Sequence, residues 1–255
     1  MPIIIPAHLN EDTLAGGWEI SDPLEKLKDK YGRGQDGTYL SLAFDSYIAG
    51  GLARAGWSTQ IDAADLCATH LMHSNINGAD IDSLLARRDS IHAALAEIPL
   101  NANLEVELDE GAWAAITRQL AAMECPGIGL AKMTKVLCLK RPALFPMLDS
   151  YVMAMLFRDA WPAGMEHDTY ADSGVVALKQ FQQLLIHDGN LEVLQSVRDE
   201  FNAWLSGHAE DRQITPTPVL TTVRVLDNLL WFDSAGYKSF GWTWDEAENR
   251  LVPPA

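Results

Sequence analysis

Two helix-periodic stretches, Asp109–Met123 and Leu130–Lys140, stand back to back with only a Pro126-Gly127-Ile128-Gly129 turn and two residues between them. In the first, Trp113, Ile116, Leu120 and Met123 recur at three- and four-residue spacing, the signature of one buried helix face. Asp109 is placed to cap its start, and Pro142 stops the second helix just beyond Lys140. A connection this short forces an antiparallel helical hairpin over 109–140. Glycines at 127 and 129 leave the free amides of the second helix open to a close-approaching anion. Tight helix–helix turns also use glycine for conformation alone, so both readings stand.

The rest of the chain is patterned in the same way. Asp62 reads as an N-cap for 61–74 and Asp80 for one helix running through 80–98 to the stop at Pro99. ALFPML, with Pro146, reads as an extended loop, after which Asp149 caps 150–160. Further helices are expected at 171–189, 191–205 and 217–232, with Pro218 in the first turn of the last. Strand signals are few: GYKSFGWTWD alternates enough for a short hairpin, and LEVELD is a brief candidate. The expected fold is all-α, with residues 1–36 as an N-terminal extension and 37–255 as a single helical domain.

Charge is unevenly spread. The chain carries −16 overall, which works against nucleic-acid binding, because that affinity comes largely from cations meeting phosphates. Yet residues 125–158 hold Lys132, Lys135, Lys140, Arg141 and Arg158 against Asp149 alone, a local +4 that leaves −20 elsewhere. Such a strip suits a phosphate backbone; a solvated helix face would give the same count. The acidic remainder suits a basic protein partner.

The segment from Pro126 to Val152 resembles the helix-hairpin-helix DNA glycosylase superfamily. Its motif runs Pro-Gly-(Ile/Val)-Gly, a helix, a short loop, then Val-Asp-Thr-His-Val. Here Pro126-Gly127-Ile128-Gly129 matches the hairpin and Leu148-Asp149-Ser150-Tyr151-Val152 the second part. The resemblance implies a glycosylase-like helical fold with Asp149 as the catalytic carboxylate. It implies DNA-backbone contacts from Gly127, Gly129, Lys132, Lys135, Lys140 and Arg141. Members that also cut the strand carry a Schiff-base lysine two residues after the second hairpin glycine; Ala131 stands there, and Lys132 is turned roughly 100° away. The resemblance therefore implies a monofunctional enzyme using water. Tyr47, Trp57, Tyr151 and Trp231 are candidate walls of a base pocket. Over about residues 38–232, FDSYIAGG, DLCATHLM, KVLCLKRPALFPMLDSYV and TTVRVLDNLLW are similar to a bacterial family of unknown function, distantly related to those glycosylases. A fold can outlive its chemistry, so a non-catalytic nucleic-acid-binding or protein-interaction module stays open beside the enzyme.

Other chemistries lack their residues. Cys67-x-x-His70-x-x-His73 spreads over different helix faces and wants a fourth ligand, so no metal is expected. Three cysteines without a CxxC pair argue against a disulfide framework and an iron–sulfur cluster, and no other cofactor is indicated. Arg224 and Asp227, three apart beside Val223, Leu226 and Leu230, read as a partly buried structural pair. No apolar run reaches membrane-spanning length, and MPIIIPAHLNED lacks a basic n-region, so the expected location is cytoplasmic.

Overall fold

A computed structural model describes residues 1–5, 18–32, 38–157, 169–233, 243–245 and 250–252. The architecture is all-α with two small β ribbons. Strands β1 (Ile3–Ile5) and β2 (Trp18–Ile20) pair antiparallel, with Ile3 opposite Ile20. Eleven α-helices follow among the described residues. They are α1 (Pro23–Gly32), α2 (Thr38–Leu52), α3 (Ala63–Ala68), α4 (Gly78–Ala86), α5 (Arg88–Glu97), α6 (Glu110–Met123), α7 (Leu130–Lys140), α8 (Ser150–Leu156), α9 (Tyr170–Ile186), α10 (Asn190–Asp211) and α11 (Thr222–Asp233). The second ribbon joins β3 (Thr243–Asp245) to β4 (Arg250–Val252), a short hairpin near the C-terminus as expected, with only its first strand inside GYKSFGWTWD.

Helix starts follow local capping chemistry. Asp62, Asp109 and Asp149 each accept a backbone N–H of the following turn, and Asp62 completes a capping box with Asp65. Asp80 does not cap its helix. Asn77 does, and Asp80 is the returning half of that box, its Oδ2 accepting the Asn77 amide at 2.9 Å. The single helix expected over 80–98 is two, because Arg87 leaves helical geometry (φ −101°, ψ 2°). The last helix starts at Thr222, behind a Thr221 cap whose hydroxyl accepts the Arg224 amide, so Pro218 lies outside it. LEVELD forms no strand. Leu104 bonds to the Ala143 carbonyl, and Gln182 donates to the carbonyls of Leu104 and Val106.

Two helices run through the interior. Every residue of α7 from Met133 to Lys140 is buried, as is every residue of α11 from Thr222 to Leu230. Their polar side chains must therefore find partners inside the protein. α10 instead presents a stripe of Leu194, Val197, Phe201, Leu205 and Ala209 to the core. The described parts of the N-terminal segment pack into the helical body: Ile3, Ile20, Leu27 and Tyr31 are fully buried members of the main core cluster. Burying such side chains is worth about 1.5–3 kcal/mol each, which ties the segment to the domain. A satellite cluster gathers Phe44, Ile48, Trp57, Cys138, Leu139 and Met147. No described helix is long and apolar enough to cross a membrane.

Candidate functional site

The helical hairpin forms as α6 and α7. Between them Ile128 donates to the Cys125 carbonyl at 3.0 Å, and Gly127 adopts φ +83°, a left-handed geometry that favours glycine. A Cβ on Gly127 would lie 2.6 Å from Asp80 Oδ1. Lys132 closes the turn: its Nζ donates to the Gly127 carbonyl at 2.7 Å and to Asp80 Oδ2 at 2.8 Å. Gly129 opens α7 in extended geometry without a side-chain cap.

The cations of this region turn inward. Lys140 is fully buried, 2.6 Å from Asp65 Oδ2 and 3.9 Å above the Trp57 ring. Arg141 is buried and donates to the Leu95 and Ile98 carbonyls at the end of α5. Lys132 is committed to the turn and to Asp80. The basic strip expected on a solvent face is thus corrected. Lys140 and Arg141 are buried, and Lys132, partly exposed in the first turn of α7, is held at the hairpin turn, so all three serve intramolecular contacts. Lys135 is buried too, and points elsewhere.

Asp149 sits where α7 and α8 meet. The Thr134 hydroxyl of α7 accepts the Leu148 amide at 3.0 Å, fixing the chain one residue before it. Asp149 Oδ1 accepts the amides of Tyr151 and Val152 at 3.0 and 3.2 Å. Its Oδ2 has no hydrogen-bond partner among the described residues, and the residue is partly exposed. Burial pushes its carboxyl above the usual range, against the charges of Lys135 and Lys30 and the two amides.

Around it lies a connected set of charges. Arg224 pairs with Asp45 at 3.0 Å and with Asp227 at 2.6 Å, all three nearly inaccessible. The Tyr31 hydroxyl donates to Asp45 Oδ2 at 2.8 Å. Burial raises the Asp227 carboxyl to about 6, with Arg224 opposing and Asp149 adding to the rise. Lys30, partly buried, is lowered to about 6 by burial and by Arg224. Its Nζ lies 3.8 and 3.4 Å from the ring centres of Trp231 and Phe232. Tyr151 packs on Trp231 at 5.6 Å, and both rings are partly open to solvent.

The four aromatics named as pocket walls divide. Tyr151 and Trp231 flank the Asp149 group. Tyr47 and Trp57 pair with each other at 6.1 Å in a second group, where the Tyr47 hydroxyl donates to Asp65. The Arg224–Asp227 pair expected from sequence is present. Its link to Asp45, and the arrival of Lys30 from α1, were not legible: Lys30 lies in a segment read as an extension, and nothing local marks it. Cys67, His70 and His73 join no metal-binding group among the described residues, which hold no cluster of that kind.

Comparison with known proteins places residues 24–234 in DUF6308, a family of unknown function. No curated protein and no solved structure matches the chain.

Proposed function

We propose that this chain, which belongs to the DUF6308 family of unknown function, binds duplex DNA and releases a damaged or modified base at Asp149. The observation that carries this reading is the Asp149 carboxylate. It is steadied by two amides through Oδ1, free at Oδ2, partly exposed, and flanked by the Tyr151–Trp231 rings. Cleaving an N-glycosidic bond builds positive charge on the sugar. A carboxylate below the ring stabilises that charge, and its free oxygen can orient the attacking water. An extruded base would stack on Tyr151 and Trp231.

Backbone contact would then rest on the main chain of the Gly127–Gly129 turn rather than on a row of free cations, since Lys132, Lys140 and Arg141 are engaged internally. This reading requires modest affinity with a shallow salt dependence. Three free thiols suit a cytoplasmic location.

A second reading has its own observation. With those cations occupied and a net charge of −16, the fold could equally serve as a non-catalytic module that retains the hairpin and engages a basic protein. Base release separates the two. The protein and its Asp149→Asn variant are incubated with duplex DNA, damaged and naturally modified, and freed bases are detected by mass spectrometry. Release by wild type alone supports the glycosylase. No release by either, with no salt-dependent DNA binding, supports the non-catalytic module that engages a basic protein; no release with DNA bound in a salt-dependent way would make it a nucleic-acid-binding module instead.

A further inference from the structure

A groove of about 680 Å³ runs between α2 and the chain at 213–216 that follows α10. That is within the size range of small-molecule sites. On the α2 wall, Ala43, Ser46, Tyr47 and Gly50 recur at helical spacing, and Arg54 continues the line just past the helix end.

Both walls are fixed from behind. The Ser46 hydroxyl donates to the Pro216 carbonyl at 2.5 Å, and the amides of Gln213 and Ile214 return to the Glu210 and Ala209 carbonyls at 3.0 and 2.9 Å. Gly50 lets Pro216 come close, since a Cβ there would lie 3.2 Å from the Pro216 ring. The Tyr47 hydroxyl donates to Asp65 at 2.9 Å, and Asp65 is itself held by the buried Lys140 at 2.6 Å. The Tyr47 ring also meets Trp57 edge-on, in space that a side chain on Gly51 would fill. A wall locked in this way is preorganised, so a ligand does not have to order it.

The charge on the groove is one-sided. Arg54 is the only charged residue that lines it, in a chain of −16. The residue is exposed, makes no ion pair among the described residues, and leans toward the Trp57 ring at 5.8 Å. Burial and Asp65 push the Tyr47 hydroxyl up to about 12, so it adds no charge at neutral pH.

We propose that this groove binds a small organic anion, its apolar or aromatic body against Ala43, Tyr47, Ile214 and Pro216 and its carboxylate or phosphate paired with Arg54. A guanidinium meets either head group through two parallel hydrogen bonds. No lining residue belongs to the group around Asp149, so the inference is independent of base excision.

The full chain is titrated with naphthoate, phenyl phosphate and uncharged naphthylmethanol, and its backbone amides are followed by NMR. At least one anion should give saturable shifts confined to 43–54 and 213–216, and the stronger of the two tells a carboxylate from a phosphate ligand. The alcohol should bind about tenfold more weakly or worse, and Arg54→Gln should weaken the anion by a similar factor. Ala43→Phe, at another exposed position, should fill the groove and abolish binding with an unchanged circular dichroism spectrum. No saturable shift from either anion at millimolar concentration, equal binding of the alcohol, or full affinity in Arg54→Gln overturns the proposal. Shifts that follow protein concentration rather than added anion also overturn it, because a second copy of the chain would then occupy the groove.

Discussion

Lys132 and Asp80 meet across two helices that are far apart in sequence. The ammonium, from the first turn of α7, reaches the carboxylate at the start of α4 at 2.8 Å, and takes the Gly127 carbonyl on the way. Asp80 is itself held by the Asn77 amide, so cap, turn and ion pair form one assembly. The hairpin tip is braced from outside by α4.

Gly127 should then be among the least replaceable residues of the chain. Alanine there adopts φ +83° at a cost of about 1–2 kcal/mol and drives its Cβ to 2.6 Å from an Asp80 oxygen that is not free to move. We expect Gly127→Ala to lower unfolding free energy by about 2–3 kcal/mol in urea titrations. In an Asp80→Ala background the increment should shrink toward the backbone cost alone.

Substituting Lys132 distinguishes a brace from a phosphate ligand. Lys132→Met leaves a nearly buried Asp80 without its cation, so stability should fall by about 1–3 kcal/mol. A residue neutralising a phosphate would also lower the slope of log affinity against log salt by about 0.9 on its removal. The brace predicts an unchanged slope in DNA-binding titrations at several salt concentrations.

The legible parts of this protein are those decided within one turn of helix. Asp62, Asp109 and Asp149 act where their spacing puts them, because an N-cap needs only the next three residues. Asp80 was assigned the wrong half of its motif for the same local reason: Asn77 and Asp80 bond reciprocally, and either could lead. The Lys140 contact was not legible. A lysine in the last turn of a helix is normally a solvated cation, and only the tertiary arrival of α3 with Asp65 makes it a buried partner. The break at Arg87 has no glycine or proline to announce it. In the site, Asp149, Tyr151 and Trp231 carried a signal through motif or aromatic character. Lys30, Asp45 and Lys135's inward aim depend on which faces α1, α2 and α7 turn to one another.

Thiol chemistry offers a direct check on the interior course of α7. Cys67 is exposed, whereas Cys138 is fully buried and its thiol is pushed far above its ordinary range by that burial. A native-state reaction with a disulfide reagent should label Cys67 promptly. Cys138 should react only on unfolding, at a rate that follows global opening. Prompt labelling of Cys138 would mean that α7 is not an interior helix.

The buried charges around Asp149 should write two opposite slopes into stability against pH. Asp227 has its folded pKa raised to about 6, so the native state binds the proton more tightly than the unfolded chain does. Its contribution is complete below the unfolded value near 4 and is lost as pH rises through 6. Lys30 has its folded pKa lowered to about 6, so there the unfolded chain holds the proton more tightly, and stability rises with pH from about 6 toward 10. Urea titrations across pH 4–9 on wild type, Asp227→Asn and Lys30→Met resolve the two. Asp227→Asn should flatten the falling limb in part, a change on the order of 1–3 kcal/mol across its window, the remainder coming from Asp149, whose carboxyl is also raised by burial. Lys30→Met should flatten the rising limb and leave the other in place. Lys135, whose folded pKa is likewise lowered by burial, adds to the rising limb, so Lys30→Met flattens it only in part. Parallel curves for all three proteins would mean that these groups are hydrated in the native state, and that the site around Asp149 is wet rather than enclosed.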